Sequence, residues 1–88
     1  MKAVKVRIFG KVQGVGFRYF LYKHAKSLNI KGYAKNLEDG SVEAVFEGSE
    51  ENVEKMIELA RKGPILAKVE KIEIEEIEPK NFKDFEIF

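Results

Sequence analysis

The chain has 88 residues, with 16 Lys or Arg against 15 Asp or Glu and a formal net charge of +1. It contains no cysteine and one histidine, which excludes a disulfide framework, a cysteine-held zinc, a thiol nucleophile and any site needing two imidazoles from one chain. No apolar run approaches the length of a membrane span and the N-terminus reads as a strand rather than a signal peptide, so one soluble cytoplasmic domain over residues 1–88 is expected.

Residues 3–10 alternate apolar and polar, with Val4, Val6 and Ile8 in phase, and predict a strand. The strand runs into Gly10-Lys-Val-Gln-Gly-Val-Gly-Phe-Arg18, which holds three glycines in seven residues and the only glutamine of the chain. Phe17, Phe20, Leu21, Ala25 and Leu28 then recur at helical spacing, so 17–28 reads as an amphipathic helix that Asn29 closes in a left-handed conformation. Gly32 to Leu37 is a second strand, Asp39-Gly40 signals a hairpin turn within Glu38–Ser41, and Val42 to Glu47 is a third strand ended by Gly48. Ser49 caps a second helix with Glu50 and Glu51 in its first turn, Arg61 and Lys62 in its last, a stripe of Val53, Met56, Ile57 and Ala60, and Gly63-Pro64 as its stop. Val69 to Ile77 is a fourth strand, and Ile72 and Ile74 fall out of phase with Val69, which points to a bulge. Phe82, Phe85, Ile87 and Phe88 suggest a short fifth strand. The order β-α-β-β-α-β plus a terminal strand implies an α+β, ferredoxin-like split β-α-β sandwich, with two helices on one face of an antiparallel sheet.

Charge is unevenly spread. Met1 to Leu37 carries nine Lys or Arg and no acid, and the remainder carries all fifteen acids against seven bases. One reading is a positive field around the glycine loop that draws in a small anion; the other is that basic elements pair with acidic ones across the fold. The first is favoured for Arg18 and Lys11, the second for the rest. Abundant Lys and Glu with almost no Gln lean towards a thermophile source.

A strand, a glycine-rich loop and a helix start together build an anion pocket, because successive N–H groups point into one concavity at the positive end of the helix dipole. Arg18 adds a planar charge able to fork onto two phosphate oxygens. In the inferred topology the first and second strands are parallel with the third between them, so Asn36 ends at the same sheet edge as the loop, on the order of 10 Å away. Its carboxamide could hold an attacking water in line, or merely prepare the hairpin.

Other signals fail. Gly16-Phe17-Arg18 lacks the Gly-Lys-Ser/Thr end of a P-loop, and a dinucleotide fingerprint starting at Gly14 would need a glycine at Tyr19. Lys31-Gly-Tyr-Ala34 opens like an RNA-recognition motif, but Lys35 and Asn36 stand where aromatic and aliphatic residues belong. His24 lies on the apolar side of its helix and is assigned to packing, as is Tyr33; Tyr19 and Tyr22 fall at the surface or rim. The acids of Glu73–Glu78 are read as a solvated strand rather than a metal site.

Two stretches resemble a known family. Gly10-x-Val-Gln-Gly-Val-Gly-Phe-Arg18 looks like the first signature of the acylphosphatases, and Gly32-Tyr-Ala-Lys-Asn36 followed by Gly40-x-Val42 and Gly48 looks like the second, at matching separation. The resemblance covers essentially the whole chain. It implies hydrolysis of a carboxyl-phosphate anhydride to a carboxylate and inorganic phosphate, with no metal and no phosphoenzyme; a monomer with no other cofactor and no nucleic-acid or membrane partner is expected. It implies that the loop Lys11, Val12, Gln13, Gly14, Val15, Gly16 and Phe17 binds the phosphoryl group together with Arg18, and that Asn36 orients the water. Two other functions remain open on the residues alone: a non-catalytic anion-binding module, and a nucleic-acid binder using the basic N-terminal segment, against which the missing stacking platform and the acidic second half argue.

Overall fold

The computed structural model describes every residue from Met1 to Phe88. The elements are β1 (Lys2–Lys11), α1 (Phe17–Ser27), β2 (Lys31–Asn36), β3 (Val42–Gly48), α2 (Glu50–Lys62), β4 (Lys68–Ile77) and β5 (Phe85–Ile87). They form one five-stranded sheet in the order β4-β1-β3-β2-β5. The hairpin β2–β3 and the pair β1–β3 are antiparallel, so β1 and β2 run the same way with β3 between them and end at one sheet edge.

Strand alternation decides which side is buried. Val4, Val6 and Ile8 stand opposite Phe46, Ala44 and Val42, and all six belong to the buried core. Phe17, Leu21 and Ala25 of α1 and Val53, Met56, Ile57 and Ala60 of α2 bury against the same side. Asn29 takes the expected left-handed conformation, with φ 56°, and the Ser49 hydroxyl accepts from the Asn52 N–H at 3.2 Å as the N-cap of α2.

The bulge lies in β4. Phe9 pairs with Lys71 while Gly10 pairs with Val69, which leaves Glu70 as the extra residue and lets both Val69 and Ile72 turn to the core. At that point the backbones approach so closely that a Cβ on Gly10 would sit 2.2 Å from the Lys68 carbonyl oxygen.

The strands β4, β1, β3 and β2 form the expected antiparallel sheet, and the short terminal strand β5 extends it in parallel with β2, which makes the five-stranded sheet mixed. The reason is the crossing of residues 78–84 from the β4 edge, past the ends of β1, β3 and β2, to the far edge. The buried Glu47 carboxylate on β3 accepts from the main-chain N–H groups of Lys80, Asn81 and Phe82 at 2.6, 3.2 and 3.0 Å and anchors this crossing. Three donors compensate the desolvation of a carboxylate that would otherwise be costly. The strand that follows therefore starts at the same end as β2 and runs alongside it. No helix is long and apolar enough to cross a membrane.

Candidate active site

The loop after β1 carries Gly14 and Gly16 at φ 73° and 78°, left-handed positions that a glycine occupies without steric cost. Gly16 is the N-cap of α1, with no side-chain cap and no acid in the first turn, so nothing on the helix neutralises its positive end. Phe20 donates back to the Gly16 carbonyl at 3.0 Å, whereas no main-chain N–H from Val12 to Tyr19 donates to another main-chain group. Eight successive amides at a strand-to-helix turn are thus left unspent by the backbone ladder.

Asn36 pairs with Val42, which in turn faces Ile8, so Asn36 lies on the helix-covered side of the sheet at the end where the glycine loop emerges. Val12, Gly14, Gly16, Phe17, Arg18, Tyr19, Asn36 and Ile87 line one cleft of about 190 Å³. Val12 and Phe17 are buried and form its floor. Of the residues singled out in the sequence, Lys11, Gln13 and Val15 do not line it: Lys11 is exposed at the end of β1, and Val15 packs on the core.

The Gln13 side chain points to the hairpin instead. Its Nε2 donates to the carbonyls of Leu37 at 2.8 Å and Ser41 at 2.9 Å, which ties the glycine loop to the turn just beyond Asn36. That turn is held from the other side by Asp39, whose carboxylate accepts from the Ser41 N–H and hydroxyl and pairs with Arg7 at 2.6 Å. The Ser41 hydroxyl and amide hold the Asp39 carboxyl below the usual carboxylate range, with Arg7 adding to the effect.

The charge asymmetry resolves both ways. Lys2, Arg7, Lys26 and Lys35 pair with Glu54, Asp39, Asp84 and Glu43. Arg18 makes no such pair; its Nη1 donates to the main-chain oxygen of Phe88, just beyond β5. Tyr33 lies on the opposite sheet face, packed edge-on to Phe82 and Phe88 and donating to Glu43 at 2.8 Å. Burial, and secondarily this bond to Glu43, pushes its phenol up to about 12. His24 packs edge-on to Phe20 at 4.7 Å. The acids of β4 are exposed, and no group of three or more His, Asp or Glu side chains gathers as a metal site would need.

Sequence reasoning missed Ile87 and the Phe88 oxygen at the cleft. Both come from β5, and only its parallel pairing with β2 brings them beside α1. The rim on which Tyr19 stands is that of this cleft. A wider hollow of about 530 Å³ at the opposite end of the sheet gathers Asn29, Asn52, Asn81, Lys31 and Glu47. Its carboxylate is already committed to three N–H groups, which leaves it little chemistry to offer.

The element order, the five-stranded sheet and the two helices on one face make this a ferredoxin-like α+β sandwich, with the glycine-loop cleft at the edge where β1 and β2 end. The acylphosphatase family model matches residues 4–87, and the chain belongs to that family. It is 47% identical over 87 residues to the acylphosphatase of Methanocella arvoryzae, covering 99% of each chain. It is also 47% identical to the acylphosphatase of Thermotoga maritima, covering 99% of this chain and 97% of that one. The crystal structure of acylphosphatase from Bacillus subtilis superposes with a TM-score of 0.97 at 34% identity, covering 100% of this chain and 99% of that one.

Proposed function

We propose that this protein hydrolyses acyl phosphates without a metal. The main-chain amides of the loop Lys11, Val12, Gln13, Gly14, Val15, Gly16 and Phe17 hold the phosphoryl group together with the Arg18 guanidinium, and the Asn36 carboxamide orients the attacking water. The observation that carries this reading is the convergence of Gly14, Gly16, Arg18 and Asn36, from two segments distant in sequence, on one cleft beside a loop whose amides from Val12 on have no main-chain partner.

The reaction suits so small a set of groups. The water oxygen bonds to phosphorus, the bond from phosphorus to the acyl oxygen breaks, and its electron pair leaves on the carboxylate. The proton lost by the water ends on the released phosphate. A carboxylate leaves without protonation, so no general acid is needed. In the loose transition state charge spreads over the equatorial oxygens, with entering and leaving oxygens in line. Fixed N–H dipoles and one guanidinium oppose that charge, and their arrangement before substrate arrives avoids reorganisation. Asn36 both donates and accepts, which aligns a water without removing its proton.

Benzoyl phosphate hydrolysis followed with and without chelator tests the activity. Arg18→Ala is expected to lose inorganic-phosphate affinity and rate together. Asn36→Ala is expected to keep phosphate binding and lose a hundredfold or more in kcat, about 3–4 kcal/mol for one transition-state contact. Full turnover in Asn36→Ala would remove its assigned role, and phosphate binding without turnover in the unaltered protein would favour an anion-binding module.

A further inference from the structure

We propose that Tyr19 and Ile87 form the acyl-side lip of the cleft and give the enzyme a preference for acyl phosphates with large, neutral apolar acyl groups over acetyl or carbamoyl phosphate. The inference rests on the phosphoryl group occupying the cleft as proposed above.

The cleft of about 190 Å³ is smaller than the roughly 300–1,000 Å³ of sites that enclose a whole drug-sized ligand. A phosphoryl group seated among the loop amides takes the inner part of it, and a large acyl group must extend past the remaining lining towards the mouth. The side chains of the lining sort by what they present there. Val12 and Phe17 are 1% and 2% exposed and belong to the floor. Gly14 and Gly16 have no side chain, and Arg18 and Asn36 are polar. Tyr19, 62% exposed, and Ile87, 40% exposed, are the lining residues that offer large apolar surface to the solvent side. They come from different elements, Tyr19 from the first turn of α1 and Ile87 from β5 beside Ala34.

An exposed apolar surface beside a polar cleft is the arrangement expected of a ligand subsite. The Tyr19 ring is also held in advance. It stacks on Tyr22 with centroids 6.2 Å apart at 29°, and the Lys26 ammonium lies 5.8 Å from the Tyr22 ring. A ring already fixed loses little rotamer freedom when an acyl group lands on it. Electrostatics narrows the class further. Arg18 is the only charged side chain lining the cleft. An acyl group bearing its own carboxylate would shed water against Tyr19 and Ile87 without gaining a dedicated partner, whereas a neutral ring or alkyl chain loses nothing there.

The test measures kcat/KM for benzoyl phosphate and acetyl phosphate on the full chain, with inhibition by inorganic phosphate recorded in parallel. The unaltered protein is expected to favour benzoyl phosphate. In Tyr19→Ala the ratio of the two should fall about tenfold, the scale of one lost aromatic contact. Ile87→Ala should lower it in the same direction, and Tyr19→Phe should retain most of the preference because the ring remains. Phosphate inhibition reports an intact cleft in each variant, and both residues are exposed enough for the fold to survive their truncation. An unchanged ratio in both alanine variants, or an equal loss on both substrates, would overturn the acyl-side assignment while leaving the phosphoryl site standing. Failure of the unaltered protein to turn over either substrate or to be inhibited by phosphate would instead overturn the underlying reading.

Discussion

Replacing Gln13 with alanine separates the two halves of the cleft without touching any side chain that lines it. The substitution removes two hydrogen bonds, 2.8 Å to the Leu37 carbonyl and 2.9 Å to the Ser41 carbonyl. Each carbonyl keeps another main-chain donor: Gly40 N–H on Leu37 at 3.1 Å, and Leu37 N–H on Ser41 at 2.9 Å. Neither acceptor is orphaned, so the loss belongs at the modest end, about 0.5–1 kcal/mol per bond and about 1–2 kcal/mol together. For a domain of this size that lowers Tm by about 4–16 °C, read by circular dichroism. The kinetic effect should be larger in proportion. Gln13 spans the glycine loop and the turn directly after Asn36, and a misplacement approaching 1 Å costs up to about a hundredfold in rate. We expect kcat on benzoyl phosphate, measured well below Tm, to fall between about tenfold and a hundredfold. Inhibition by inorganic phosphate should change less, since loop amides and Arg18 do not need Asn36 to hold it. Gln13→Glu sharpens the test: nearly the same shape, it turns a carboxylate on two carbonyl oxygens and should be less stable than Gln13→Ala. A Tm and kcat both unchanged in Gln13→Ala, or Gln13→Glu proving the better tolerated variant, would refute the bridging role.

Gly10→Ala and Gly16→Ala should differ sharply in melting experiments. The first drives a Cβ to 2.2 Å from the Lys68 oxygen and should disrupt the β1–β4 pairing, whereas the second meets open space and costs only about 1–2 kcal/mol for a left-handed alanine. Glu47→Gln replaces a carboxylate that serves three N–H groups with an amide whose NH2 faces a donor, so a loss of about 3 kcal/mol is expected, with faster amide exchange at Lys80, Asn81 and Phe82. Asp39 is held below its ordinary value of 3.8, so the stability it contributes is present above that pH and disappears as pH falls through its lower native value. Asp39→Asn should accordingly flatten the acid limb of a stability profile. Tyr33, with its phenol pushed up to about 12 from 10.0, contributes stability that is complete below pH 10.0 and lost as pH rises through that window. Spectroscopic titration should show one late phenol, absent in Tyr33→Phe.

Much of this molecule is written in local pattern. Alternation in residues 3–10, the stripes of both helices, Ser49 as a cap and the out-of-phase Ile72 are properties of neighbouring residues, and each appears in the structure within a residue or so of where the pattern puts it. The pairing of the glycine loop with Asn36 at one edge was also legible, because the β-α-β-β-α-β order leaves few ways to lay out the sheet. Tertiary structure alone decided the rest. Residues 78–84 carry no apolar period; their path follows from a buried carboxylate on β3 that must satisfy itself on distant N–H groups. That path sends β5 alongside β2 and so delivers Ile87 to the mouth of the cleft and the Phe88 oxygen to Arg18. The direction of the Gln13 side chain was likewise hidden, since its acceptors are main-chain carbonyls, identical in every residue and distinguishable only once the fold has set their positions.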